Sequence, residues 1–424
     1  MIFLISDKWA FTAYWVAWEY CHFNWDLAFP WLTLGNALAH QIYLIQWYEY
    51  TGALGGSLWI LGVNVLTFRL LCPLVRLRLK RGLVYLSMLI TLPILLSLSI
   101  WFSLDYSPSL RIEVVSVHPN TERYRLGLPE DSPIVQLYKT LELARPHITP
   151  HTALILLPET AIQMPCYIEL LAESQPMMVI RAWLHQFPQA KVVTGAILQE
   201  KTQDKYESTY VKWANTHYKL HNSVIQLDTS QVIPIRSKVK LSFYEERFPF
   251  WLEPFESMIV ALGGEIWRYT PRNKPEPQIF RDETTGIGYT PILCYEGAFY
   301  EFTAQKITAK SQFITIGLNE GWFRQSEGTY QNTEFLRVMA VCMRRSIARS
   351  SNMGISGFYT PKGEITQTFD KLRPKVLREQ VILNEKVTFY STWGDYIGKI
   401  ALMLGTFWIA LMLYHRLRGI NIPL

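Results

Sequence analysis

The sequence predicts an α/β domain carried between membrane-spanning helices. Three observations predict it. Uncharged stretches approaching 20 residues are confined to the two ends of the chain, short β-type apolar runs recur through its middle, and amphipathic helical stretches separate several of those runs. Composition agrees. Charged residues are 18% of the 424 and aromatic residues 14%, with 15 tryptophans, a mixture common where rings sit at membrane–water interfaces. The formal net charge is +6 and the basic residues cluster beside the apolar segments, which points to membrane orientation and away from nucleic acid. Cysteines 21, 72, 166, 294 and 342 form no CxxC pair and have no histidine at ligand spacing. Neither a disulfide scaffold nor a metal site is therefore expected, and no cofactor.

Residues 9–23 are apolar and aromatic apart from Glu19, and form the first candidate span. No small-residue cleavage site follows it and Pro30-Trp31 comes soon after, which argues against a cleaved signal. Residues 52–68 are uncharged and end at Arg69; residues 83–104 are uncharged throughout, with a Pro93 that a membrane helix tolerates. Residues 400–414 make the fourth candidate. Arg69, Arg76, Arg78, Lys80 and Arg81 lie between the second and third spans, and His415, Arg416 and Arg418 follow the last. Positive loops stay cytoplasmic. The expected organisation is a membrane domain at 1–104, an extracytoplasmic domain at 105–395, and a final span with a short basic tail at 396–424.

Within the middle, strands are expected at 112–117, 154–157, 192–198, 224–227, 287–293 and 313–318, and helices at 134–144 and 178–186. Residues 253–277, with their Pro and Gly, read as a long loop or lid. Two of the apolar runs end in one reactive group each: Leu154-Ile-Leu-Leu-Pro-Glu159 and, 135 residues later, Cys294 in Pro291-Ile-Leu-Cys-Tyr295-Glu296. Lys238-Val-Lys240-Leu lies between them. A thiol attacks acyl carbonyls as a thiolate, so it needs a base or a cation beside it. A carboxylate could take the proton and an ammonium could hold the oxyanion. Taken singly, each residue has a plainer reading: a free Cys is commonly buried and inert, a Glu after Pro commonly caps or turns the chain, and a Lys is commonly solvated. No histidine lies near these motifs, which weighs against a Cys-His arrangement.

The order Glu, Lys, then Cys-Tyr-Glu resembles the nitrilase superfamily. Within it, the chain is most similar to the apolipoprotein N-acyltransferases, the bacterial membrane enzymes that finish lipoprotein maturation. The likeness runs over roughly residues 9–415 and rests on several stretches in shared order. They are Phe29-Pro-Trp31-Leu-Thr-Leu-Gly35, Leu156-Leu-Pro-Glu-Thr-Ala161, Cys294-Tyr-Glu296, Asn319-Glu-Gly-Trp-Phe323, Gly328-Thr-Tyr-Gln331, Arg344 to Ile355, and Thr392-Trp-Gly-Asp395. The resemblance implies a nitrilase-like α-β-β-α sandwich flanked by transmembrane helices. It implies Glu159 as general base, Lys238 as oxyanion stabiliser and Cys294 as nucleophile. Lys238 is preferred to Lys240 because its spacing to Leu241 and Glu246 matches the family pattern. Glu246 and Glu296 fall on supporting positions, and the Tyr295 N–H is an expected oxyanion donor. Also implied are a phospholipid acyl donor, a diacylglyceryl-lipoprotein acceptor, and a multi-pass place in the bacterial inner membrane with the catalytic domain on the periplasmic side.

Three departures stand out. The family's Pro-Phe-Gly is Phe243-Tyr244-Glu245 here, its Asn-Asp is Asn319-Glu320, and its further initial membrane spans have no counterpart in this sequence. The aromatic loops at 243–251 and 255–267 suit an interfacial lid and a packed core equally. Two other functions fit the same pattern: a membrane-tethered amidohydrolase that uses water, and a non-catalytic scaffold that binds lipoproteins.

Overall fold

The computed structural model describes residues 8–25, 27–72, 79–121, 132–159, 161–203, 209–211, 216–242, 246–247, 254–255, 258, 269–272, 274–283, 285–321, 326–370 and 372–418. The loop at 243–245, most of the expected lid at 253–277, and Arg76, Arg78, Trp322 and Phe323 lie outside them.

Two sheets form the middle of the molecule. The first contains β1 (Arg111–His118), β2 (Thr152–Leu156), β3 (Ile162–Tyr167), β4 (Lys191–Thr202), β5 (Thr209–Val211), β6 (Thr216–Leu227), β7 (Ile235–Ser237) and β14 (Lys375–Ile382). Its order is β14-β1-β2-β4-β6-β5, with β3 on β4 and β7 on β6. The second contains β8 (Phe280–Arg281), β9 (Gly288–Leu293), β10 (Phe313–Leu318), β11 (Ser346–Ser351), β12 (Ser356–Tyr359) and β13 (Ile365–Phe369), in the order β13-β12-β11-β10-β9-β8. The pairs β1–β2, β2–β4, β9–β10 and β10–β11 are parallel, so the strands that end in chemistry point the same way within each sheet.

Alternation along these strands builds four layers. Val114, Leu154, Leu156, Val193 and Val224 of the first sheet meet Tyr289, Leu293, Phe313, Ala348 and Phe358 of the second in one buried cluster. Their neighbours Val115, Ile155, Val192 and Ile225 turn the other way, onto Leu137 and Leu141 of α4 (Pro133–Ala144) and Ile180 and Leu184 of α5 (Gln175–Leu184). Ile292, Ile314, Ile316 and Ile347 face a third cluster with Leu336 and Met339. These last belong to α7 (Glu327–Met343), which follows the short α6 (Tyr300–Ala304). Runs buried on both faces explain why the strands read as continuous apolar stretches. The result is an α-β-β-α sandwich, as expected.

The helices at the chain ends are α1 (Lys8–His22), α2 (Tyr48–Leu71), α3 (Leu79–Ser103) and, after the short α8 (Phe389–Trp393), α9 (Tyr396–Leu417). Among the described residues, α2, α3 and α9 are long and apolar enough to cross a membrane. The described part of α1 is 15 residues, about 22 Å at 1.5 Å per residue, shorter than the ~30 Å of a hydrocarbon core. Val16 and Ala17 of α1 pack on Leu54 and Leu61 of α2 and Ala401 of α9. Glu19 is tolerated in this apolar helix because it accepts from Trp15 Nε1 at 2.8 Å, Leu34 N at 3.0 Å and Ser57 Oγ at 2.6 Å. The first turn of α2 is pinned to the sandwich by Arg344, which donates to Glu49 Oε2 at 2.6 Å and to Gln46 Oε1 at 2.6 Å.

Candidate active site

The acid comes first. After β2 the chain runs through Leu157-Pro158 to Glu159, with Leu157 N still donating to Val193 O at 2.8 Å. Gly195 of β4 makes room for this turn: a Cβ there would lie 1.8 Å from Glu159 O and 2.3 Å from its carbonyl carbon. Only glycine allows so close a backbone approach. The lysine follows β7, where Lys238 N donates to Asn222 O at 2.7 Å. Its Nζ reaches Glu159 Oε1 at 2.9 Å and Glu246 Oε2 at 2.8 Å. Asn222 Nδ2 bridges the same two carboxylates, at 2.8 Å to Glu159 and 2.6 Å to Glu246. Lys238 is 2% exposed and Glu159 5%, so both are charges held by one another in the interior.

The two acids are not equivalent. Burial raises the Glu159 carboxyl above the usual glutamate range; Lys238 opposes this and the Glu246 charge adds to it. Burial also raises Glu246, but Lys238 and the Ser242 N–H at 2.9 Å outweigh it, leaving Glu246 below that range. Burial pushes Lys238 down, yet the two carboxylates more than reverse this and hold it firmly protonated. Glu159 is thus the acid better disposed to take up a proton and Glu246 the one that stays ionised.

Cys294 is the first residue after β9 and opens a 3-10 turn, Cys294–Ala298. Its φ is +42°, left-handed backbone that a non-glycine residue adopts rarely and that concentrates at functional sites. Burial pushes the thiol well up, Glu159 pushes it further, and Lys238 opposes both. Cys294 therefore rests as a thiol and needs a base. Tyr295 is the second residue of the turn, where the N–H has no partner within the turn. Glu296 is fully buried and accepts from Arg236 Nη2 at 2.8 Å to each oxygen, from Val239 N at 2.9 Å and from Leu293 N at 3.0 Å. It ties the residue before the thiol to the residue after the lysine. The Tyr295 hydroxyl donates to Ala28 O, and its ring stacks on Trp31 with centroids 5.8 Å apart.

All six residues anticipated at this site (Glu159, Lys238, Glu246, Cys294, Tyr295 and Glu296) enter this one cluster. Asn222 was not anticipated; set between His221 and Ser223 in the polar half of β6, it carries no local signal. Arg236 was also missed. Glu320, fully buried, accepts from Arg349 Nη2 at 2.5 Å, Asn332 Nδ2 at 2.9 Å and Ile355 N at 3.1 Å, and its charge is among those felt at the thiol. Among the described residues, no three His, Cys, Asp or Glu side chains gather as a metal site requires.

A four-layer sandwich with an acid, a lysine and a thiol gathered where its parallel strands end, and with membrane helices at both flanks, defines a membrane-bound protein of nitrilase type. Residues 3–66 match the family model described as the apolipoprotein N-acyltransferase N-terminal domain. The apolipoprotein N-acyltransferase of Chlorobaculum tepidum is 26% identical over 408 residues, 92% of this chain and 73% of that one. That of Geobacter metallireducens is 26% identical over 392 residues, 91% of this chain and 70% of that one. A solved CN-hydrolase superfamily protein from Xanthomonas campestris overlays with a TM-score of 0.43 at 12% identity, covering 64% of this chain and 90% of its own. Over most of its length the chain is similar to the apolipoprotein N-acyltransferases.

Proposed function

We propose that this protein moves a fatty acyl chain from a membrane phospholipid, through a thioester on Cys294, to the α-amino group of an S-diacylglyceryl-cysteine at the start of an apolipoprotein. Glu159 takes the thiol proton as Sγ attacks the ester carbonyl carbon. Lys238 and the Tyr295 N–H hold the oxyanion. The ester C–O bond then breaks, and Glu159 returns its proton to the departing lysophospholipid oxygen. In the second half the amine attacks the thioester and gives its proton to Glu159. The C–S bond breaks and the proton returns to sulfur. Glu246 holds Lys238, and Glu296 holds the turn that carries Cys294.

One observation carries the lipid part of this reading. The turn that bears the thiol is built into the segment joining α1 and α2. Tyr295 bonds Ala28 and stacks on Trp31, and Lys240 Nζ donates to Phe23 O at 3.3 Å. Around it Trp18, Trp25, Phe29 and Leu32 are exposed, a large apolar patch that suits membrane contact. Both substrates are lipid-anchored and would arrive by lateral diffusion. The matched relatives are named for the same reaction. The basic residues flanking α2, α3 and α9 favour a bacterial inner membrane with the sandwich on the periplasmic side. Residues 1–104, 105–395 and 396–424 then form the membrane domain, the catalytic domain, and the last span with its tail.

Incubation with a phospholipid carrying a labelled acyl chain tests this. The expected product is an acyl adduct on Cys294, absent from Cys294→Ala, that a diacylglyceryl-cysteine peptide discharges as an N-acylated product. No adduct, or one that survives Cys294→Ala, refutes the acyl-enzyme. Discharge by water as fast as by the peptide assigns an amidohydrolase instead.

A further inference from the structure

We propose that Asn319 is a further catalytic residue, whose side-chain N–H hydrogen-bonds the acyl carbonyl oxygen while Cys294 is acylated; this rests on the thioester reading above. Asn319 is the first residue after β10, which lies parallel to β9 with Gly317 beside Leu293. Along β10, Ile314, Ile316 and Leu318 face the outer helical layer and Phe313 faces the seam between the sheets. Alternation brings Gly317 and then Asn319 to that seam. There the strand runs close to the acid: a Cβ on Gly317 would lie 3.2 Å from Glu159 N and 3.5 Å from Leu293 Cδ2. Asn319 stands one pleat nearer the strand ends, level with the Cys294–Tyr295 turn next door. The charge of Glu320, the next residue, reaches the thiol.

The amide itself is the second observation. Asn319 is 3% exposed; its Oδ1 accepts from Gly321 N at 3.4 Å, while its buried Nδ2 donates to nothing among the described residues. Buried amide nitrogens nearly always have an acceptor. One left without, where the site strands end, fits an acceptor that arrives with the substrate. The oxygen in greatest need of donors is the carbonyl that gains negative charge as sulfur attacks. Lys238 is already divided between two carboxylates at 2.9 and 2.8 Å. A neutral amide adds a donor without disturbing the proton balance among Glu159, Lys238 and Glu246. Closed off from bulk water, it acts at full strength on whatever oxygen reaches it.

Asn319→Leu, close in shape and without donors, is the test, with Asn319→Ala beside it should leucine not fit. The whole protein in detergent micelles is given a phospholipid with a labelled acyl chain, and acyl-Cys294 formation is timed in a single turnover. Acylation is expected to slow about 100-fold, the usual cost of one oxyanion donor, with the concentration dependence on phospholipid little changed. Alkylation of Cys294 by iodoacetamide, which has no carbonyl at the reacting carbon, should keep its rate, and the melting temperature should hold or rise. Wild-type acylation rates in both variants overturn the assignment. So does a loss of acylation matched by equal loss of alkylation and melting temperature, which marks a structural residue. A wild-type protein that takes no acyl group overturns the thioester reading instead, and this one with it.

Discussion

Glu296→Gln tests whether the clamp between thiol and lysine sets the rate. The glutamine keeps one acceptor oxygen and turns the other into a donor. Oε1 serves Val239 N and Oε2 serves Leu293 N, and Arg236 Nη2 lies 2.8 Å from both. Whichever oxygen is replaced, one backbone N–H loses its acceptor and the guanidinium loses its countercharge. A charge-assisted bond contributes roughly 1.5–3 kcal/mol and an orphaned buried N–H costs roughly 1–3 kcal/mol, so the variant loses about 3–5 kcal/mol, as breaking a buried pair does. At about 2–4 °C per kcal/mol for a large domain, tryptophan fluorescence should report melting roughly 10 °C lower. Leu293 precedes Cys294 and Val239 follows Lys238, so the loosened clamp lets thiol and lysine drift apart. A misplacement near 1 Å costs on the order of 100-fold in rate. Single-turnover acylation should therefore slow by about that factor. An E296Q protein that melts within about 2 °C of wild type and acylates at its rate refutes the clamp. Lower melting with an unchanged rate would confine Glu296 to stability.

Three further outcomes follow from the same geometry. Glu246→Gln removes the charge that helps raise Glu159, so the acid limb of the acylation rate against pH should move to lower pH; a limb that stays put or moves up refutes Glu159 as the titrating base. Gly195→Ala puts a methyl 1.8 Å from the Glu159 backbone O, and should cost several kcal/mol and at least about 100-fold in acylation; near-normal turnover would show that Glu159 is not held by that contact. Asp395, buried beside Glu301 with Oδ1 accepting from Tyr390 at 2.8 Å, is pushed by burial and then by Glu301 up to about 7. Its folded value exceeds its unfolded one, so its stabilisation is full below about 4 and is lost as pH rises through 7. Asp395→Asn should therefore melt higher than wild type at pH 8, by on the order of 5 °C, and alike at pH 4; a lower melting temperature at pH 8 refutes it.

The fold was legible where burial is apolar. β1, β2, β4, β9 and β10 announced themselves because each is buried on both faces by aliphatic side chains. β6 was only partly seen: its expected 224–227 is the end of a strand that runs Thr216–Leu227, whose earlier half alternates polar residues such as His217, Lys219 and His221. β11 was missed for a different reason. Ser-Ile-Ala-Arg-Ser-Ser is a fully buried strand, yet its polar groups are satisfied by remote partners that no local pattern reveals. Arg349 pairs with Glu320 and donates to Thr333 Oγ1 at 2.7 Å, and Ser350 Oγ donates to Val117 O at 2.6 Å. α7 escaped likewise, since Asn332 and Thr333 make it look like a surface segment while they sit inside that network. At the site, Glu159 and Cys294 were visible as ends of apolar runs. Lys238 had no such mark, and only the ordered resemblance singled it out from Lys240. Asn222 and Arg236 act on the acids across 63 and 60 residues of chain, which is beyond any spacing rule.

The charges of the resting site explain how a thiol raised by burial can still react. Lys238 carries +1 between the carboxylates of Glu159 and Glu246, so with Cys294 protonated the cluster carries one net negative charge. Passing the thiol proton to Glu159 leaves that sum unchanged: the negative charge moves from carboxylate to sulfur. Both groups are raised by the same burial, so the transfer works against much less than the full cost of ionising a buried thiol. In the proposed reaction, as sulfur bonds to the carbonyl, the charge moves again, to an oxygen between the Lys238 ammonium and the Tyr295 N–H. The proposed chemistry relocates one charge through a closed interior and never creates a second. On this proposal Glu246 is needed although it touches no substrate. Without its charge, Glu159 becomes a weaker base and Lys238 binds it more tightly, and the proton has less reason to leave sulfur.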